Sequence, residues 1–108
     1  RVGCQASDVF TGVGVMSGQY YGFDVIGFPC EPSHPRPVIH GHGTLDLIIQ
    51  YHNAAPAWER YSDNIIGCGR QDRVIYSDSN NFRMSCSERL DCPSPGATLC
   101  TYHGMGHV

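Results

Sequence analysis

The sequence contains no lysine, no pair of cysteines in a C-x-x-C spacing and no long apolar stretch. The formal net charge is -3, and every basic residue is an arginine, which argues against non-specific binding to nucleic acid. The missing C-x-x-C pair argues against a zinc ribbon or a thioredoxin-like site. No segment reaches the roughly 20 apolar residues that a membrane-spanning helix needs. A length of 108 residues allows one domain.

Six cysteines are the strongest compositional feature of so short a chain. They are Cys4, Cys30, Cys68, Cys86, Cys92 and Cys100. An even number at scattered spacings is typical of a disulfide-stabilised secreted protein, which we expect to have here in its mature form. Six cysteines allow many different sets of three bridges, and their spacing selects none of these sets.

The N-terminal part of the chain has the pattern of an amphipathic helix. Ser7 is a capping residue, and Val9, Val13, Met16 and Tyr20 then recur at helical spacing. The glycines in this stretch weaken a helix, so we expect it to depend on packing against the rest of the protein. The pattern therefore predicts one N-terminal helix.

The remainder of the chain reads as irregular segments and strands. Residues 29–37 contain four prolines and predict an irregular segment or an edge strand. Residues 45–51 are rich in β-forming apolar residues and predict a central strand, and residues 54–58 predict a turn around Pro56. Further along, residues 73–76 predict a strand. Residues 77–81 predict a hairpin turn, after which the chain returns through residues 82–85. Residues 98–102 predict a last strand.

One helix followed by several strands predicts an α+β fold, with the N-terminal helix packed on a central antiparallel sheet and stabilised by disulfides. We expect a single domain over residues 1–108, with flexible ends at residues 1–3 and 101–108. The thirteen glycines and seven prolines of the chain fit a fold with many turns and short strands.

Three stretches, in order along the chain, resemble the small fungal guanyl-preferring ribonucleases. Ser-Asp-Val at residues 7–9 resembles the start of that family's helix, and Leu-Asp-Leu at residues 45–47 resembles its first central strand. Asp-Arg-Val-Ile-Tyr at residues 72–76 is the closest match and resembles the strand that carries the phosphate-binding arginine. The resemblance implies a microbial ribonuclease-like fold and a disulfide between Cys4 and Cys100 that joins the two ends.

The resemblance also implies a remnant of a catalytic site. RNA cleavage needs a base for the ribose 2′-hydroxyl, an acid for the leaving oxygen and a cation beside the phosphate. By resemblance, His34 and Glu59 belong to the base side and Arg73 supplies the cation. Each also has a simpler interpretation. His34 would be a surface-loop residue, Glu59 a solvated partner of Arg60, and Arg73 a strand residue paired with a nearby carboxylate.

Two departures from the family argue against catalysis. Glu88 replaces the expected acid histidine, and its negative charge would repel the RNA phosphate. Residues 40–44 take the place of the guanine-binding stretch and lack its carboxylate. This combination resembles the catalytically degenerate, ribonuclease-like secreted effectors of plant-pathogenic fungi such as the powdery mildews.

We therefore expect a secreted effector, delivered into the host cell, that acts as a monomer by binding. Its partner would be a host plant protein, an immune receptor or, weakly, RNA, and we expect neither a cofactor nor contact with a membrane. Two alternatives stay open. One is an active secreted ribonuclease that cleaves RNA by 2′-hydroxyl transesterification, with His103 as a further helper, and the other is an unrelated disulfide-rich secreted toxin.

Histidines and aromatic residues add two weaker candidates. His40 and His42 would share one face of a strand, and His103 and His107 also have a spacing that a metal could use. No cysteine or carboxylate pattern completes either site, so we predict no bound metal.

The aromatic residues Tyr20, Tyr21 and Phe23 have the chemistry to stack on bases. Their position at the end of an apolar helix face favours the core instead. Trp58, the single tryptophan, is predicted to lie in the core as well.

Overall fold

The protein is an α+β fold, as expected, in a computed structural model that describes residues 2–18, 30–78, 83–93 and 96–107. Its helical elements are a short turn, α1, at Val2–Gln5 and a longer helix, α2, at Tyr51–Arg60, which continues in wider π-helical turns at Tyr61–Ile66. The strands are β1 at Val13–Met16, β2 at Val38–Gly43, β3 at Asp72–Ser77, β4 at Met84–Arg89 and β5 at Ala97–Tyr102.

The five strands form one mixed sheet in the order β1-β2-β5-β4-β3. The β1–β2 and β2–β5 pairs are parallel, whereas the β5–β4 and β4–β3 pairs are antiparallel. The prediction of an antiparallel sheet is therefore confirmed for two of the four strand pairs and wrong for the other two. Parallel neighbours need a long crossover connection, and the chain between β2 and β5 supplies one through α2 and the β3–β4 hairpin.

Helix α2 packs on one face of the sheet and encloses the core. The core residues are Cys30, Val38, Ala57, Trp58, Tyr61, Ile66, Cys68 and Ala97. The predicted burial of Trp58 is confirmed, since its side chain is 1% exposed. The π-helical turns end at Gly67, which has a φ of 85° and donates its backbone N–H to the carbonyl of Ser62 at 2.9 Å.

The predicted N-terminal helix is wrong over the described residues. Residues 7–9 form a turn, and Val13 and Met16, which were to lie on one helical face, belong to strand β1. Half-buried and exposed residues alternate along β1, so its true period is two, and its β-branched valines and Gly14 favour a strand over a helix. Tyr20, Tyr21 and Phe23 lie outside the described residues.

Two further predictions are wrong in the region between β2 and β3. Residues 45–50 form turns instead of a central strand, and Tyr51 begins α2. The predicted turn at residues 54–58 lies inside α2. Pro56 is exposed on this helix, and Ala54 and Ala57 are buried on its other side. The burial of that face outweighs the local cost of a proline inside a helix.

The other predicted elements are confirmed. Residues 73–76 lie in β3, residues 98–102 lie in β5, and the antiparallel pairing of β3 with β4 is the predicted hairpin, although residues 79–82 of its turn lie outside the described residues. Residues 30–37 contain no helix or strand, as the irregular reading of this proline-rich segment predicted.

All six cysteines form disulfides, as predicted, but the expected Cys4–Cys100 bridge is wrong. The three bridges are Cys4–Cys30, Cys68–Cys92 and Cys86–Cys100. Cys100 in β5 lies directly opposite Cys86 in the neighbouring strand β4, so the sheet register gives it a partner other than the N-terminal cysteine.

The C-terminal residues continue from the sheet. Thr101 and Tyr102, which belong to the end predicted to be flexible, lie in β5, and residues 103–107 then run past the end of β2. Within the described ranges, no helix is long and apolar enough to cross a membrane.

Candidate functional site

Two of the four predicted remnant-site residues meet on the β3–β4 hairpin. Arg73 Nε donates a hydrogen bond to Glu88 Oε1 at 3.0 Å, and Arg73 Nη2 contacts the same carboxylate oxygen. The guanidinium that the resemblance places beside a phosphate is therefore paired with Glu88, the residue that the resemblance places at the position of the acid. Both side chains are partly exposed to solvent, as expected for an ion pair at the surface.

Glu59 belongs to a different charged cluster, which joins α2 to the sheet. The buried Arg89 of β4 contacts Asp72 at 2.8 Å and Asp63 at 3.2 Å, and its guanidinium lies 5.3 Å from the Trp58 ring centroid. Burial lowers the pKa of Arg89, but the hydrogen bond and charge of Asp72, with the charges of Asp63 and Glu59, outweigh this effect and raise the pKa above its ordinary value.

The two clusters lie on opposite faces of the sheet. Glu88 and Arg89 are consecutive residues of β4, and successive side chains of a strand point to opposite faces. Since Arg89 faces α2, Glu88 and its partner Arg73 lie on the other side. The predicted base, Glu59, is thus separated from the predicted cation by the thickness of the sheet.

His34 lies in the irregular segment before β2. Its ring Nδ1 is 3.1 Å from the hydroxyl of Ser33, and its backbone N–H donates to the hydroxyl of Ser7 at 3.3 Å. His34 is exposed, and these contacts tie it to the N-terminal turn. The structure therefore gathers Arg73 with Glu88 and leaves His34 and Glu59 in separate surroundings.

A different constellation is centred on Asp46, in the loop between β2 and α2. Asp46 Oδ1 accepts hydrogen bonds from the backbone N–H groups of Ile48 and Ile49, both at 2.9 Å. Asp46 Oδ2 lies 2.9 Å from His107 Nδ1 and 3.2 Å from His42 Nε2. Burial raises the pKa of this carboxyl, but the backbone and His107 hydrogen bonds outweigh burial and hold the pKa below its ordinary value.

Two fully buried histidines extend this network beneath α2. His42 Nε2 lies 2.6 Å from the carbonyl oxygen of Ile49, and His42 Nδ1 lies 3.1 Å from His40 Nε2. Burial, with a smaller contribution from the adjacent His42, lowers the pKa of His40 from 6.5 to about 4. The two histidines share one strand face, as predicted. In the described part of the chain, no three His, Cys, Asp or Glu residues are arranged to hold a metal ion.

Residues near the C-terminus cross the loop that contains Asp46 and form hydrogen bonds with it. We call residues 103–107 the C-terminal strap. The carbonyl oxygen of Met105 accepts the backbone N–H of Leu45 at 2.9 Å, and the N–H of Gly104 donates to the hydroxyl of Thr44 at 2.9 Å. Together with the His107–Asp46 contact, these bonds fix the strap against the loop.

The loop that these hydrogen bonds hold presents apolar side chains to solvent. Leu45, Leu47 and Ile48 are 60%, 86% and 73% exposed, and Met105 of the strap is 42% exposed. We call these four residues the aliphatic surface. Scattered exposed leucines are normal on proteins, but several on one loop, whose amides at residues 45, 46, 48 and 49 are hydrogen-bonded, are typical of an interaction site.

Sequence reasoning missed this site because the apolar run at residues 45–49 has the composition of a strand. A usable signal was present in the sequence. An aspartate two and three residues before the amides of Ile48 and Ile49 is the pattern in which a carboxylate caps a turn.

Compared with known proteins, the chain matches no family model and no curated sequence. The resemblance to ribonucleases therefore rests on the short motifs at residues 7–9, 45–47 and 72–76. Of these, only residues 72–76 adopt the element that the resemblance implies.

Proposed function

We propose that this chain is a secreted, non-catalytic protein that recognises a protein partner through its aliphatic surface. The observation that carries this proposal is the exposure of Leu47 and Ile48 on a loop whose backbone is held by the buried carboxylate of Asp46. A loop that is ordered before binding loses little conformational entropy in the complex, so its side chains deliver most of their burial energy as affinity.

The favourable binding energy of this surface comes from the burial of its aliphatic side chains. Burial of one leucine or isoleucine side chain contributes about 1.5–3 kcal/mol. The four residues of the aliphatic surface therefore contribute through burial of apolar area, and this contribution is set against the cost of association. The matching partner surface is an apolar cleft with few charged groups.

The charges of the chain favour a protein over RNA as the partner. The net charge is -3, and Arg73, the predicted cation, and Arg89 of β4 are each bonded to carboxylates. A phosphate backbone would have to displace those carboxylates before it gained a contact. Three disulfides support the proposed secretion, because such bridges persist in oxidising compartments.

The biological setting follows from the resemblance, in which the protein is a fungal effector and its partner is a host plant protein or immune receptor. A ribonuclease-like origin of the fold is part of the same proposal. It is supported by the α+β class and by the β3–β4 hairpin that carries Arg73 and Glu88.

The test compares three purified proteins immobilised at equal density: the wild type, the double variant Leu47→Ser/Ile48→Ser, and Val74→Ser. Val74 is 64% exposed on β3, away from the loop, and is the matched control. Plant proteins retained by the wild type are identified, and each is then produced in pure form for affinity measurement.

We expect a purified partner to bind the loop variant about 30-fold or more weakly, while Val74→Ser changes the affinity less than twofold. Circular dichroism should show the same fold for all three proteins, because the substituted side chains are exposed. A partner that binds the loop variant as tightly as the wild type would overturn the proposal.

A further inference from the structure

The two faces of the sheet differ in what covers them. In β2, His40 and His42 point toward α2 and are fully buried, whereas Ile39 points to the other side and is 53% exposed. Met16 of β1 lies on the same side as Ile39 and is 52% exposed. A strand that buries histidines and exposes an isoleucine reverses the pattern of a sheet face that meets water.

Both described helices lie on the histidine side of the sheet. Helix α2 packs there through Trp58, and α1 lies beside it, since Gly3 approaches Val13 and the hydroxyl of Tyr61. In the described part of the chain, no helix therefore covers the second face. Parallel strands are normally covered on both faces, because their crossover connections place helices there. The parallel half of this sheet thus has a helix on one side only.

We define the open face as the side of β1, β2 and β5 that carries Met16, Ile39 and Tyr102. Its other residues are glycines, Thr98 and Cys100, so no acidic or basic side chain lies on it. This composition is typical of a sheet face that is covered by an apolar surface. A partner that packs on the open face must itself be uncharged where it makes contact, because no counter-charge is available.

The rest of the same side of the sheet is charged. Here β4 carries Glu88, which is bonded to Arg73 of β3. Charged side chains of this kind suit a face in contact with water. The change from charged to uncharged residues lies between β4 and β5, where the strand pairing changes from antiparallel to parallel. This border sets the width of the surface that a partner would cover.

The dimensions of the open face fit one helix. Strands lie about 4.8 Å apart, so β1, β2 and β5 together span about 10 Å, the diameter of an α-helix with its side chains. Strands of four and six residues are about 13–20 Å long, which equals the length of a helix of about 9–13 residues. Two open cavities, of about 260 and 460 Å³, are both lined by Ile39 and Gly14. Side chains one turn apart on a helix fit on either side of Ile39.

We infer that the open face is a docking site for one amphipathic α-helix of a partner protein, which packs its apolar stripe along Met16, Ile39 and Tyr102. The stripe consists of aliphatic side chains, and the outer side of the helix remains polar. The bound helix completes the two-sided cover of the parallel strands. The open face shares no residue with the aliphatic surface, so this inference does not depend on the function proposed above.

The first measurement establishes whether the open face is accessible in the protein without a partner. The methyl groups of Met16 and Ile39 are observed by NMR on the whole ¹³C-labelled chain in the presence of a soluble paramagnetic agent. Their relaxation should be as strong as that of Met105 and Ile75, which are 42% and 50% exposed. Strong protection of Met16 and Ile39 would overturn the inference, because the chain itself would then cover the open face.

The second measurement uses two synthetic peptides of about 14 residues as probes. One peptide has leucines at positions i, i+3, i+4 and i+7 and charged residues elsewhere, and the other has the same composition in an order without an apolar stripe. The amphipathic peptide should shift the methyl resonances of Met16 and Ile39 and bind about tenfold or more tightly than its counterpart. Equal binding of the two peptides, or no shift at these two methyl groups, would refute the docking site.

Two matched substitutions locate the bound helix. Ile39→Ser should weaken binding of the amphipathic peptide about tenfold, because it removes the isoleucine at the centre of the contact. Ile75→Ser removes an isoleucine of similar exposure from β3 and should leave the affinity unchanged. Similar effects of the two serine variants would contradict binding at the open face.

Two further variants keep the test decisive if Ile39→Ser does not fold. A Cβ at Gly14 meets only the side chain of Ile39, at 3.9 Å, so Gly14→Leu fits the strand and fills the space beside Ile39. It should weaken peptide binding as strongly as Ile39→Ser, and unchanged affinity would argue against the docking site. The variant Leu47→Ser/Ile48→Ser leaves the open face intact and should bind the peptide like the wild type. Loss of its protein partner with normal peptide binding bears on the aliphatic surface alone.

Discussion

His107 Nδ1 lies 2.9 Å from Asp46 Oδ2, although the two residues are 61 positions apart in the chain. This contact joins the end of the chain to the loop between β2 and α2. Because Asp46 also bonds two loop amides, one carboxylate organises the backbone on both sides of the aliphatic surface. The stability of the strap and the geometry of the loop are therefore coupled.

The close passage of the strap over Gly43 gives a direct test of this coupling. A Cβ at Gly43 would collide with the carbonyl oxygen of Met105 and lie 2.7 Å from that of Gly106, and both obstacles are backbone. We expect Gly43→Ala to lower the free energy of unfolding by about 1–3 kcal/mol and to accelerate exchange at Ile48 and Ile49.

Gly96→Ala is the matched control, since a Cβ there meets nothing within 4 Å. It should leave both the unfolding free energy and the loop exchange close to those of the wild type. Equal behaviour of the two alanine variants would contradict the tight contact between strap and sheet.

The buried histidine predicts how global stability depends on pH. His40 has a pKa of about 4 when folded and 6.5 when unfolded, so the unfolded chain binds the proton more readily. The contribution of His40 to the free energy of unfolding is therefore fully present above pH 6.5 and is lost as the pH falls toward 4. The expected loss between pH 7 and pH 4 is roughly 3 kcal/mol, measured by urea unfolding with the fluorescence of the single, buried Trp58. A flat profile over this range would show that His40 titrates normally in the folded protein.

The two arginine clusters should differ sharply in their contribution to stability. Arg89 is buried between two carboxylates and the Trp58 ring, so Arg89→Ala removes two ion pairs and the packing of a buried side chain and should cost about 2–3 kcal/mol. Arg73→Ala removes a solvent-exposed ion pair and should cost less than about 1 kcal/mol. Thermal unfolding of both variants at the same pH and salt concentration makes the comparison, and the reverse order would refute this assignment.

The absence of catalysis is a prediction in its own right. With Arg73 paired to Glu88, and Glu59 on the opposite face of the sheet, we expect the purified protein to leave a guanine-containing RNA intact. Glu88→His tests the lost acid and frees Arg73, but Glu59 stays distant, so this variant should also remain inactive. Cleavage by the wild type at a rate proportional to protein concentration, and abolished in Arg73→Ala, would refute the non-catalytic proposal.

The β3–β4 hairpin and β5 could be predicted from sequence because their patterns are local. Residues 73–76 combine β-branched and aromatic residues with turn-forming residues that follow them, and no tertiary contact has to override that preference. The same holds for the proline-rich segment before β2. The burial of Trp58 was predictable from its chemistry alone.

The regions that failed are those decided by partners distant in sequence. Val13–Met16 forms a strand by pairing in parallel with Val38–Gly43. The local sequence does not predict that pairing. Residues 45–49 form turns because the buried carboxylate of Asp46 contacts His42 in the core and His107 of the C-terminal strap. The Cys4–Cys100 bridge failed for a similar reason, since the register of β4 and β5 places Cys86 opposite Cys100.

The pattern of the three bridges has a consequence for protease treatment. Cys4–Cys30 lies wholly before β2, whereas Cys68–Cys92 and Cys86–Cys100 lie wholly after α2. No covalent cross-link spans residues 31–67, and the exposed Leu47 sits within that interval. A single cut beside Leu47 therefore yields two fragments that separate on a denaturing gel without reductant. In native buffer they remain one particle, because β2 of the first fragment stays paired with β5 of the second.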